Sequence, residues 1–576
     1  MHSTPSRSFT ALFAMLLAAV LLTGGVVGPV AAGSAAGPTG PSPSASSLSA
    51  VSHAASTDAP ASSPGVVQNE TDRPEDPSTE DTVGYVEGYW YDDELPVDDR
   101  DDAAVDDDEL DPVVYRSMAR VERIRNMTFA DEVDVEVVSR AEYRQNSGDR
   151  FANVSEDERL EHNVAYEALF MVDRETAATD ATESVYGGAV DGYYDPETDE
   201  IVIVSENPDT PELNELTLGH ELVHALQDQR FDLSQFEGET NDEEVAMNGL
   251  IEGDAAWVER AYESRCGVEW DCLSTSTERS GQLDVNWGIY FSVYQPYSDG
   301  PDYVSSLRQQ GDGWDAVNAA YDDPPTSTSA VIHPGSEREP ADVSVPDRSD
   351  DAWRQLEVDG EVANDTVGEA GMVAMFAADA LDGQQSVIAS GELFTGGEGY
   401  EYDHSYTNGW AGDELVVYAT DEAASADDPT AAAGDAGYVW RTQWQSAADA
   451  RQFRDGYLEL LDHHGAEAVD GHRDTYVIDD GGYAGVYYFE HDGETLTLVR
   501  APSVDDLSAV EAGAAPEGED TVELGESDKT ETVPGFGAPA AAAAIAVLGA
   551  GARLAVGRGR IGSRTQSNRT DDSTRD

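Results

Sequence analysis

The apolar positions of this chain change period several times, and each change marks an element. Val114, Met118, Val121 and Ile124 in "VVYRSMARVERIRNMTF" recur every three or four residues, which predicts a helix with one buried face. "DEVDVEVVS" then alternates as a half-buried strand does. Helical "LEHNVAYEALFMV" follows, and "GAVDGYYDPETDEIVIVSEN" reads as two short strands joined by a turn over 195–199. Helical spacing returns in "LTLGHELVHALQDQRFD", with Leu218, Leu222, Ala225 and Leu226 on a buried side. Next come helical "EVAMNGLIEGDAAWVERAYES", aromatic "NWGIYFSVYQPY" and turn-rich "DDPPTSTSAVIHPGSERE". Beyond these lie a helix in "TVGEAGMVAMFAADAL", the segments "NGWAGDELVVYAT" and "GYVWRTQWQS", and a helix in "ADARQFRDGYLELLDHH". The strands of "GYAGVYYFEHDGETLTLVRAPS" pair across a turn signalled by His491-Asp492-Gly493. The fold class expected is α+β, without an internal repeat.

Two folded regions are predicted, 83–345 and a smaller α+β region 350–510 that either folds separately or completes the first. Residues 1–32 combine one Arg, a long apolar run and small residues near Ala32, the pattern of a secretory signal; a retained membrane anchor is its rival. Residues 33–82 are Ser, Ala, Pro, Gly and Thr with almost no large apolar side chain, so a disordered stalk is expected. Glycan acceptor triplets begin at Asn69, Asn126, Asn153, Asn364 and Asn568. An acidic linker is expected over 511–533, a sorting tail or transmembrane segment over 534–560 and a polar tail over 561–576.

Charge narrows the partners. With 32 basic against 116 acidic residues the formal net charge is −84, leaving no basic surface for nucleic acid. A hydrophobic share of 40%, with 9 Trp and 25 Tyr, still argues for folded cores. The balance resembles that of proteins from halophilic archaea, whose carboxylate-rich surfaces stay hydrated in strong salt. Near the C-terminus, Pro534-Gly535-Phe536, an apolar run and an arginine cluster resemble the PGF-type sorting tail of haloarchaeal surface proteins. That resemblance implies an archaeosortase partner, a membrane lipid and tethering at the outer face of the cell membrane. This tail continues through "IGSRTQSNRTDDSTRD", which keeps a retained helix as the rival anchor. The cysteines Cys266 and Cys272 fit a small loop disulfide of an exported protein.

The chemistry concentrates in His220-Glu221-Leu222-Val223-His224. One helical turn separates the histidines, so both imidazoles leave one face and suit a single tetrahedral Zn²⁺. Glu221, beside the first of them, falls where a general base is needed. A catalytic zinc site takes a third protein ligand. The metzincin pattern is excluded, because Gln227 and Arg230 stand at its Gly and His positions. Glu252 in "NGLIEGDAAWVE", on a second helix, is the better candidate, with Asp254 as the alternative. This arrangement resembles the gluzincins, whose third ligand is a downstream Glu. The family's Asp one turn beyond that ligand is replaced here by Ala256, so Asp228 and Asn248 are the candidates for orienting an imidazole. His333 is the candidate oxyanion donor, ahead of Tyr193 and Tyr194. His404, His463 and His464 are weaker metal candidates, and serine-nucleophile and phosphate-loop motifs are absent. The resemblance implies a zincin-like core and a secreted, cell-surface zinc endopeptidase acting on protein or peptide. A zincin-like scaffold that keeps metal but cleaves nothing is the alternative, and a zinc hydrolase of non-peptide amides is a third reading.

Overall fold

In the computed structural model, residues 73–522 are described apart from 101, 152–153, 188–189, 191, 197, 274–284, 337, 339, 382–384, 395–398 and 427. Helix α1 (Asp107–Arg125) begins where the Asp106 side chain accepts from Asp108 N and the Glu109 carboxylate accepts from Asp106 N. It ends at Asn126, which takes the left-handed conformation at φ 58°. Strand β1 (Asp134–Ser139) and helix α2 (Glu156–Ala168) follow, then the hairpin β2 (Gly192–Asp195) and β3 (Glu200–Ser205). β3 is central, parallel to β1 and antiparallel to β2, which leaves β2 at the sheet edge.

Helix α3 (Glu215–Phe231) carries the His-Glu motif; the Asn214 side chain caps it by accepting from Leu216 N. Leu218, Leu222, Ala225 and Leu226 join Ile201, Ile203 and α1 residues Val114, Met118 and Val121 in one apolar cluster. The opposite face is buried as well, so every polar group on it needs a partner inside the protein. The helix start is pinned by Glu215, which is fully buried among Arg120, Arg116 and Tyr262 and accepts from Leu273 N at 3.0 Å.

Helix α4 (Asn241–Glu263) brings Glu252 to α3, and α5 (Trp287–Gln310) packs behind it. Glycines make that second contact close: a Cβ on Gly253 would lie 2.4 Å from the Gly300 carbonyl carbon. After α6 (Thr328–Ile332) and α7 (Gly368–Ala377) come β4 (Trp410–Ala419), β5 (Gly437–Trp444), α8 (Ala447–His463), β6 (Thr475–Ile478), β7 (Gly485–Asp492) and β8 (Thr495–Ala501). They form most of an antiparallel sheet in the order 467–468, β6, β7, β8, β5, β4 and 354–355, with 364–365 also on β4. Gly493, at φ 66°, opens the two-residue turn between β7 and β8, as a Gly-first hairpin requires.

The described residues are thus mixed α+β, and they fall within one compact unit that runs to Gly525. Region 350–510 does not keep its core to itself. Leu160, Phe170, Ile289 and Phe291 lie in the same apolar cluster as Met372, Phe376, Trp440, Tyr457 and Phe489. Two expected boundaries move. The acidic stretch after 510 is folded through 522, where Ala514 and Ala515 are buried and Asp474 accepts from Thr521 N at 2.6 Å. Residues 73–82, assigned to the stalk, are also ordered: Thr79 donates to Glu87 at 2.9 Å and accepts from its N–H at 3.1 Å. In both places hydrogen bonds to polar side chains hold chain that has little apolar content, within the segment at Thr79 and Glu87 and across to upstream Asp474 at Thr521. The secretory segment 1–32, the rest of the stalk, the sorting tail 534–560 and the polar tail 561–576 lie outside the described residues. Among the described residues no helix is long and apolar enough to cross a membrane. Cys266 and Cys272 are disulfide-bonded, closing the turn after α4.

Candidate metal centre

His220 and His224 project from α3 toward Glu252 on α4, and one ligand atom from each residue lies within 4.8 Å of the others. Glu252 Oε2 stands 3.1 Å from His220 Nε2 and 3.4 Å from His224 Nε2. All three side chains are buried, the histidines completely. The outer ring nitrogens are already engaged: His220 Nδ1 is 3.1 Å from Glu259 Oε2, and His224 Nδ1 is 2.9 Å from Gln227 Oε1. The Gln227 orientation is fixed because its Nε2 donates to Ile251 O and to the Tyr321 hydroxyl. Both Nδ1 atoms therefore carry a proton, and each Nε2 is the ring atom turned toward the Glu252 carboxylate. Three acceptors converge in a water-excluded place, which is the arrangement a metal cation satisfies at once. The buried triad can hold a metal ion.

Glu221 sits beside this cluster, buried, with Oε2 accepting from the Tyr194 N–H at 3.0 Å and Oε1 without a partner. Burial pushes its carboxyl up to about 7, and the Glu252 charge adds to that, while His220 and His224 pull the other way. A dication at the triad would favour the ionised form further. Burial opposes the charged form of Glu252 too, but the His224 and His220 imidazoles hold its carboxyl well below the usual range. The same carboxylates, Glu252 and Glu259, outweigh burial at His220 and raise its pKa.

The other expected site residues are placed differently. Asp254 points away from the triad, within 3.0 Å of Arg125 Nε and accepting from Tyr321 Oη at 3.0 Å, so it stands behind Gln227 and not among the converging ligand atoms. Asp228 accepts from the Tyr194 hydroxyl and from Leu233 N, both at 2.7 Å, and Asn248 bonds Glu244 on its own helix. Neither orients an imidazole; Glu259 and Gln227 do. Both were legible in principle: Glu259 follows Glu252 by two helical turns and shares its face, and Gln227 follows His224 by three residues. His333 caps α6, and its described partners are Glu369 at 2.9 Å and Asp403 at 3.9 Å, not Glu221 or the triad. His464 stacks on Phe170 and His463 lies 3.8 Å from Glu459, so both belong to the second region's packing. His404 accepts from Tyr406 N at 3.4 Å within its own turn.

A family model described as a domain of unknown function (DUF8575) matches residues 354–511, the sheet-rich part of the chain, and leaves the metal centre outside it. No curated protein and no solved structure matches this chain.

Proposed function

We propose that this chain is a zinc-dependent endopeptidase with a zincin-like core, exported and tethered at the outer face of the cell membrane. The observation that carries the reading is Glu221, buried and half-satisfied, next to a closed set of two imidazoles and one carboxylate. A site that held metal for folding alone has no use for that carboxylate. His220, His224 and Glu252 would hold Zn²⁺, which suits two N donors and one O donor with a fourth position open. Bound there, zinc supplies Lewis-acid polarisation and lowers the pKa of a water. Glu221 takes the proton of the attacking water through its free Oε1 and returns it to the leaving nitrogen. The Tyr194 N–H keeps the other oxygen in place, and the Glu259 and Gln227 contacts fix which imidazole nitrogens face the ion. Strand β2 is at the sheet edge next to Glu221, where an extended peptide can lie alongside. The export segment and the PGF-type tail support the surface location.

The test is zinc content and protein cleavage in high salt, for the chain and for Glu221→Gln. One zinc per chain in both, with cleavage only by the unsubstituted protein, is expected. Zinc in both with cleavage by neither across a broad peptide library would establish the non-catalytic scaffold, and absence of zinc would remove the metal centre.

A further inference from the structure

The two imidazoles of the metal centre are backed unequally. His220 Nδ1 meets the Glu259 carboxylate directly, whereas His224 Nδ1 meets only the neutral amide of Gln227. A charge stands further out on that second side. Gln227 Nε2 donates to the Tyr321 hydroxyl at 2.8 Å, the hydroxyl donates to Asp254 Oδ2 at 3.0 Å, and Arg125 Nε donates to the same oxygen at 3.0 Å. Gln227, Tyr321, Asp254 and Arg125 are all buried, so bulk water does not compete for these bonds.

The direction of this chain is set at its far end. A guanidinium only donates and its carboxylate partner only accepts, so Arg125 and Asp254 pair in one sense. Tyr321 therefore gives its hydrogen to Asp254 and turns its oxygen to the Gln227 amide nitrogen. The amide oxygen then faces His224, which makes Nδ1 the donor and leaves Nε2 as the ring atom for a metal. Ile251 O accepts from the same amide nitrogen at 2.9 Å and also opposes a flip, but it carries no charge. Arg125, the last residue of α1, is itself fixed: its Nη2 donates to Asn318 Oδ1 at 2.7 Å, and its guanidinium carbon lies 4.2 Å from the centre of the Trp314 ring.

We infer that Asp254 and Tyr321 are positioning residues of the metal centre, acting on His224 through Gln227 by a one-way chain of hydrogen bonds anchored on Arg125. Asp254 does for His224 at a distance what Glu259 does for His220 in contact. Each bond polarises the next, so the Asp254 charge strengthens the hold on Nδ1–H and makes Nε2 the better electron donor. This role rests on the metal-binding part of the proposed function and not on catalysis.

The test is zinc affinity of the full chain in molar KCl, read by competition with a chromophoric chelator, in a double-mutant cycle of Tyr321→Phe and Gln227→Ala. Tyr321→Phe keeps the ring and removes the link. It is expected to weaken zinc binding about tenfold, as loss of an outer partner of a ligating imidazole does. Once Gln227→Ala has cut the chain, the same substitution should cost less than about twofold. Asp254→Asn should also weaken binding, because its amide nitrogen would face either Arg125 Nε or the Tyr321 hydroxyl, donor against donor; this variant keeps the test decisive if Tyr321→Phe fails to fold. In proton spectra of the zinc-loaded chain, both substitutions should move the His224 Nδ1–H resonance upfield and leave that of His220 in place. Parental affinity in both variants, a Tyr321→Phe loss that persists undiminished on Gln227→Ala, or equal movement of the two histidine resonances overturns the inference. A parent chain that binds no zinc removes the metal centre and this role together. A parent that binds zinc and cleaves nothing ends the peptidase reading and leaves the role of Asp254 and Tyr321 standing.

Discussion

Gly253→Ala puts one methyl group where two helices meet backbone to backbone. The added Cβ would stand 2.4 Å from Gly300 C, 2.5 Å from its O and 2.7 Å from its Cα. Carbon atoms sit comfortably at about 3.5–4.0 Å, so α5 must retreat by roughly 1 Å. Alanine returns about 1 kcal/mol of helix propensity. Overpacking costs about 1–3 kcal/mol, and a clash with main chain belongs at the upper end because no rotamer relieves it. The net expectation is a loss of about 2 kcal/mol. Gly249→Ala is the internal control, since the atoms nearest its Cβ would belong to a side chain, the Val331 methyls at 2.9 Å and the Val331 Cβ at 3.4 Å. A side chain can move aside, so propensity and crowding nearly cancel there. Glu252 is the residue before Gly253, and a site tolerates displacements of only about 0.5 Å. Metal affinity should therefore fall with stability in Gly253→Ala and stay close to normal in Gly249→Ala. Guanidinium unfolding in high salt and competition with a chromophoric zinc chelator measure the two. A Gly253→Ala protein as stable as its parent, with undiminished metal affinity, would refute the claim that this crossing sets the position of Glu252.

Two further outcomes follow from the buried polar groups. Glu259→Gln should leave the unfolding midpoint nearly unchanged while lowering zinc affinity about tenfold, the usual result of weakening the partner of a ligating imidazole; an unchanged affinity would show that Glu259 only decorates α4. Asp242, buried against Thr328, has its carboxyl pushed up to about 8 by burial, with Asp413 and Glu369 adding and the Thr328 hydrogen bonds opposing. Its folded pKa lies above the unfolded value of 3.8, so this contribution is fully present below about pH 4 and is lost as pH rises through 8, at about 1.4 kcal/mol per unit of difference. Asp242→Asn should flatten the decline of stability between pH 5 and about 8, and parallel unfolding profiles for the two proteins would refute it.

Much of the upstream architecture was legible in the chain. Spacing at Val114, Met118, Val121 and Ile124 located α1, alternation located β1, and the turn over 195–199 located the β2–β3 hairpin. His220, His224 and Glu252 were found because ligand chemistry restricts residue type and helical geometry restricts spacing. Their orienting partners were not found, because acidic and amide side chains are abundant here and only the packing of α3 on α4 tells which ones face inward. Asp228 and Glu259 are equivalent as letters; burial of Tyr194 and His220 separates their roles. The extension of order to 522 was hidden for a related reason, since it depends on a residue far upstream, Asp474, whose carboxylate accepts from Thr521 N and whose N–H donates to the Asp520 carboxylate.

The apolar cluster that joins Phe170 and Phe291 to Met372 and Trp440 bears on how this chain can be taken apart. The family match begins at residue 354, yet a gene cut there would leave Phe376 and its neighbours facing water, and the upstream piece would lose the lining on which α5 rests. Recurrence of a segment among sequences and autonomy of that segment as a folded body are separate properties. For expression trials, chimeras or transplantation, a piece that keeps these apolar clusters closed reaches from the ordered residues near 73 to those near 522.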